Sequence, residues 1–233
     1  LRRRLVLLVL LVLLAPGFAA LGAWQIERRA WKLALIARVD ARIHAAPRSP
    51  PAPAAWARVN ARHDAYRRVR ATGVFLQNRE TLVQAVTDLG PGWWVITPLR
   101  TVAGVILVNR GFTPPERLDA ASRPAGSPTG PVTITGLLRM SEPHGGFLRA
   151  NDPAAGRWYS RDVSAIARAR GLGHIAPFFI DADASPNPGG YPRGGLTVVA
   201  FRNDHLVYAL TWFALAGLSV IGVVLVLRSE RDT

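Results

Sequence analysis

Two long apolar runs lie at opposite ends of the chain, and shorter alternating or branched runs fill the interval between them. Leu5 to Gln25 and Leu206 to Leu227 carry no charged side chain, and each reaches the roughly 20 residues a helix needs to cross a bilayer. Pro16, Gly17, Gly22, Gly217 and Gly222 interrupt them, which membrane helices tolerate. A cleaved signal peptide is the competing reading of the first run, since it has a basic start and small residues at Gly17 and Ala19. Its length exceeds a usual signal core, and Trp24, Glu27, Arg28 and Trp31 continue the helical spacing without a break, which favours an uncleaved anchor.

The spacing of Trp24, Arg28, Trp31, Leu35 and Val39 predicts that this helix runs on to about His44, with Trp24 in the interfacial belt. Pro47, Pro50, Pro51 and Pro53 then form a stiff linker, and Trp56 to Arg62 reads as one more short helical turn. Strands are expected over 66–76, 81–87, 93–97, 105–109, 132–140, 177–181 and 196–201, the last leading straight into the second span. Asn78-Arg79 and Gly90-Pro91-Gly92 read as turns, and Pro114 to Pro131 as a long polar loop. Asp162 reads as the cap of a helix from Val163 to Arg170, stopped by Gly171. The predicted fold is a membrane protein with two transmembrane α-helices flanking a β-rich (α+β) extramembrane domain, a small twisted sheet or partly closed barrel. Its divisions are 1–25 for the first span, 26–46 for the helical extension, 47–204 for the domain, 205–227 for the second span and 228–233 for the tail.

Charge adds an orientation. Arg2, Arg3, Arg4 and Arg228 mark both tails as cytoplasmic, because long intervening segments translocate largely regardless of charge. The expected location is a bacterial inner membrane, with the central domain periplasmic and no Arg/Ser-rich leader pointing to an organelle. The formal net charge of +14 sets 28 Arg and one Lys against 15 acidic residues. In a domain across the membrane this excess fits anionic lipid head groups and acidic ligands, and nucleic acid is not expected as a partner. Cysteine is absent, which excludes disulfides, thiol redox chemistry, c-type haem attachment and cysteine zinc sites.

Enzyme signatures fail. Gly171-Leu172-Gly173-His174-Ile175-Ala176 matches a dinucleotide fingerprint only superficially, since it follows a helix and precedes a strand. No carboxylate pair is spaced for acid–base work. Among the histidines, His205 stands at the mouth of the second span after Asn203 and Asp204, which can cap that helix. His205, Tyr208, Ala209 and Trp212 share one helical face. From the residues alone this is either an ordinary interfacial belt, the favoured reading, or an edge on which an imidazole ligates haem iron.

Four phrases occur together in one order: Leu21-Gly22-Ala23-Trp24-Gln25 with Arg28 and Trp31-Lys32; Gly92-Trp93-Trp94-Val95-Ile96-Thr97-Pro98-Leu99; Val105-Ile106-Leu107-Val108-Asn109-Arg110-Gly111-Phe112; and Asn203-Asp204-His205-Leu206-Val207-Tyr208-Ala209-Leu210-Thr211-Trp212-Phe213. Between two end helices, this set resembles the Surf/Shy family of cytochrome c oxidase assembly factors. The resemblance implies a non-enzymatic role in maturing the haem-copper oxidase, with haem a as transient cofactor and its insertion into subunit I as the step assisted. It implies His205 as the haem-iron ligand and overturns the belt reading. Tyr208, Trp212 and Trp24 are then candidate covers of the ring, with Arg202 and Arg110 as partners of its propionates. Subunit I, haem A synthase, other oxidase assembly factors and membrane lipid are the implied partners. The alternative is a haem-independent scaffold for immature subunit I. Asp204 stands where the family often has a second Asn, and Phe112 where Trp is common.

Overall fold

The computed structural model describes residues 2–146, 148–199 and 201–229. They form two compact units, one of residues 1–38 with 199–233 and one of residues 39–198.

The first unit is a helix pair. Helix α1 spans Arg2–His44, of which the last residues belong to the second unit, and α4 spans His205–Arg228. Pro16 lies inside α1, and both helices are long and apolar enough to cross a membrane. Leu5, Leu10, Leu13, Leu210, Leu218 and Ile221 are exposed, as lipid-facing side chains of a membrane protein are. The shielded positions follow alternating three- and four-residue steps: Leu8, Leu11, Ala15, Phe18, Gly22 and Gln25 on α1, and His205, Ala209, Trp212, Ala216, Ser219 and Val223 on α4. That period is the seam of a left-handed helix pair. Small residues let the backbones approach. A Cβ added to Gly22 would lie 2.6 Å from the Phe213 ring, and one added to Gly222 would lie 3.0 Å from Leu11.

The second unit is a closed β-barrel. Its strands are β1 (Arg68–Phe75), β2 (Thr81–Thr87), β3 (Gly90–Thr101), β4 (Gly104–Thr113), β5 (Pro131–Met140) and β6 (Ile175–Ala182). Five of them close a ring, β1-β5-β6-β4-β3 and back to β1, while β2 extends β3 as a hairpin. All pairings in the ring are antiparallel except β4 with β6. Closure depends on β3 changing partners along its length. Thr81 pairs with Ile96, whereas Phe75 pairs with Leu99. Pro98 falls at the exchange point, where its missing N–H costs no ladder bond, and its carbonyl accepts from Leu76 N–H at 2.8 Å. An irregularity in the β3–β4 register between Trp94 and Ile96 bends the strand there.

Strand β4 is buried on both faces. Ile106 and Val108 join Val69, Ala71, Leu99, Leu138, Phe178 and Ile180 in the lumen. On the outer wall, Leu107 packs with Val83, Ile96, Phe179 and helix α3 (Val163–Ala169), whose Val163 and Ile166 complete that cluster. Asp162 caps α3, its side chain accepting from Ala165 N–H as its position predicts. A short 3-10 turn (Pro53–Arg58) and α2 (Ala61–Asp64) realise the expected turn near Trp56.

Three sequence expectations need correction. Gly90, Pro91 and Gly92 belong to β3, and the reversal falls at Asp88-Leu89, where the Thr87 hydroxyl accepts from Leu89 N–H at 3.1 Å. Residues 196–199 and 201 form no strand. Thr197 is held by its side chain instead, donating to Asp181 at 3.0 Å, and Ala200 lies outside the described residues. Asp204 occupies the N-cap position of α4 without a side-chain capping bond, because its carboxylate faces Arg202 at 3.0 Å.

Candidate functional site

The mouth of α4 holds the histidine singled out by sequence. His205 Nδ1 lies 2.8 Å from Gln25 Oε1 on α1. With the amide oxygen as acceptor, Nδ1–H donates, and the lone pair of the imidazole resides on Nε2. A histidine so oriented matches the usual arrangement of metal-ligating imidazoles, in which the other ring nitrogen donates to a carbonyl-type oxygen. Lower on the same seam, Trp212 stacks on Phe18 with ring centroids 5.7 Å apart.

The remaining predicted residues fall into three settings. Trp24 and Tyr208 are 53% and 56% exposed, so their rings present free aromatic surface on α1 and α4. Tyr208 therefore lies off the His205–Ala209–Trp212 seam that sequence spacing grouped it with. Arg202 is exposed and pairs only with Asp204 among the described residues. Arg110 belongs to the β-domain, buried inside the barrel end with its guanidinium 4.7 Å from the Phe75 ring.

Sequence reasoning missed Gln25 and Phe18. Gln25 had a signal of its own, as the single amide closing an otherwise apolar run. Phe18 had none, since one aromatic among leucines is unremarkable in a membrane helix.

A second polar constellation, also unforeseen, lies on the outer wall of the barrel. Asp181 is buried and accepts from Asn109 Nδ2 at 2.8 Å, Arg139 Nη1 at 3.0 Å, Arg161 Nη1 at 3.1 Å and Thr197 Oγ1 at 3.0 Å. Arg161 also grips both oxygens of Glu142, at 2.9 and 2.6 Å. Burial alone would lower the Arg161 pKa, but Asp181 and Glu142 outweigh it and hold the guanidinium above its ordinary range. Two carboxylates and two guanidiniums thus satisfy one another beside a cavity of about 540 Å³. This is a structural network of mutually paired charges, and it also holds Thr197.

A model of the SURF1 family matches residues 12–217, nine-tenths of the chain. The chain belongs to the SURF1 family. Among its SURF1 relatives are Surfeit locus protein 1 of Mus musculus, 35% identical over 222 residues that cover 88% of this chain and 70% of the relative. Surfeit locus protein 1 of Homo sapiens is 35% identical over 226 residues, covering 89% and 73%. A SURF1-like protein of Monosiga brevicollis is 37% identical over 215 residues, covering 86% and 79%. The SURF1 family is known for cytochrome c oxidase assembly factors. Its matched span begins inside α1 and ends inside α4, so it takes in Gln25, His205 and the whole barrel.

Proposed function

We propose that this protein is a non-enzymatic assembly factor of a haem-copper oxidase that holds haem a through His205 and assists its insertion into subunit I. The hydrogen bond from His205 to Gln25 carries this reading, because it leaves Nε2 with a free lone pair at the mouth of a membrane helix. Haem fits this donor set better than a bare metal ion. Among the described residues no three His, Asp or Glu side chains converge as metal ligands, whereas a single axial histidine suffices for a porphyrin held by its apolar faces.

In this reading His205 would supply a nitrogen ligand to the haem iron and Gln25 would keep the imidazole in one tautomer. Trp24 and Tyr208 offer aromatic surface to the macrocycle, while Trp212, stacked on Phe18, holds the seam beneath them. Arg202 exchanges Asp204 for a propionate. One ligand rather than an enclosing pair keeps the hold weak enough for transfer. Both spans cross a bacterial inner membrane with cytoplasmic tails, and the periplasmic basic domain meets subunit I, haem A synthase and lipid head groups.

Purification from a haem a-producing host, wild type beside His205→Ala, tests the proposal by absorption spectroscopy. Haem a bound by wild type and lost from the variant is the expected result. Haem-free wild type points to the scaffold reading, and binding unchanged in His205→Ala moves the ligand elsewhere.

A further inference from the structure

One end of the barrel lumen contains a buried cation, Arg110, that forms no salt bridge of its own among the described residues. Arg110 follows Ile106 and Val108 on the lumenal face of β4 and is 2% exposed. Its Nη2 donates to the Gly126 carbonyl, and its Nη1 reaches Gln77 Oε1 only at 3.4 Å. Its Nε has no hydrogen-bond partner among the described residues. Glu80, the carboxylate that acts on Arg110, is engaged by the equally buried Arg123 at 2.7 Å, so two interior guanidiniums share its negative charge. A buried charge in that state is costly, and such orphaned groups call for a compensating partner.

Beside Arg110 opens a cavity of about 310 Å³. Phe75, Val132, Ile134 and Ala182 give it apolar lining, with the polar side chains of Thr133, Thr135 and Asn187 among them. Asp183, also on the lining, has Arg68 at 3.9 Å to offset its charge. Burial lowers the Arg110 pKa, Glu80 opposes this and Arg123 adds to it, leaving a value of about 10. The side chain is therefore charged at neutral pH. Mouths of small barrels with apolar walls and a few convergent polar groups are common ligand sites.

We propose that this barrel mouth binds a small organic carboxylate with an apolar body, its carboxylate replacing Gln77 at the Arg110 guanidinium. The apolar walls favour such a ligand over a hydrated inorganic anion, which they would have to desolvate without return. The proposal is argued from Arg110 and its surroundings alone.

The test is fluorine NMR of 4-fluorobenzoate titrated into the full-length protein in detergent, with 4-fluorobenzyl alcohol as the uncharged analogue. Saturable binding of the carboxylate at least tenfold tighter than the alcohol is expected. Arg110→Met should abolish that preference and Arg110→Lys should keep part of it. Ala182→Leu, which fills the cavity while leaving the cation, should weaken binding at least tenfold, and it covers the case in which Arg110→Met fails to fold. His205→Ala should bind like wild type. Equal binding of acid and alcohol, or no effect of Ala182→Leu, overturns the proposal. Inorganic phosphate competing as well as unlabelled benzoate overturns the apolar-body assignment.

Discussion

Gln25 and His205 stand 180 positions apart in sequence and 2.8 Å apart in space. The amide has no other polar partner among the described residues, so its contribution is to the imidazole alone. If His205 ligates haem as proposed, Gln25→Leu should leave the helix pair folded and lower haem affinity by roughly 10–100-fold, the usual cost of losing an orienting partner behind a metal ligand. Haem dissociation into an excess of apomyoglobin measures it, and an unchanged rate would mean that Gln25 does not orient the ligand.

Glu80 is the single counter-charge for two buried arginines. Glu80→Gln should destabilise the β-domain by about 3–5 kcal/mol, the cost of breaking a buried pair from one side. Thermal unfolding followed by tryptophan fluorescence should show a midpoint lower by roughly 10–20 °C. Replacing Glu80 and Arg123 together by Leu and Met should recover part of that loss.

Gly111 has φ +126°, and a Cβ there would run into the backbone of Arg193, whose carbonyl accepts from Phe112 N–H at 2.9 Å. Gly111→Ala should cost about 1–3 kcal/mol or more, from strain and displacement together. Gly173→Ala, with open space around its Cβ, should stay within about 0.5 kcal/mol of wild type. Chemical denaturation of the two variants side by side decides it.

Asp152 forms an exposed turn with Arg157, whose Nη2 donates to it at 2.6 Å. That bond, with the Ala155 amide, holds the carboxyl below the ordinary aspartate range. A depressed folded value means that the turn's contribution is fully present above the unfolded pKa and is lost as pH falls through the folded one. Carbon-13 NMR titration should place the midpoint below about 3.9, and Arg157→Gln should move it up toward that value.

Much of this architecture was legible in the sequence because its signals are local. The apolar runs marked α1 and α4, Asp162 marked the start of α3, and branched residues from Val105 to Asn109 marked a strand, which the structure buries on both faces. Ring closure was not legible. It rests on the parallel pairing of β4 with β6 and on two residue pairs between β1 and β3, contacts that no neighbouring residues announce. Gly90-Pro91-Gly92 misled for a related reason. Turn-forming residues sit inside a strand because Phe112, across the sheet, leaves no room for a side chain at Gly92. His205 was visible as a polar residue opening a membrane helix, whereas its partner emerged only from the pairing of the two helices.

That pairing also sets a schedule for synthesis. Gln25 leaves the ribosome 180 residues before His205, a wait of about 9–36 s at ordinary translation rates. Until α4 enters the bilayer the first helix has no seam to close, and no imidazole to hold in one tautomer. A chain cut short anywhere in the barrel carries α1 but lacks the Gln25–His205 contact. The contact thus forms only after translation has passed through the barrel and delivered α4.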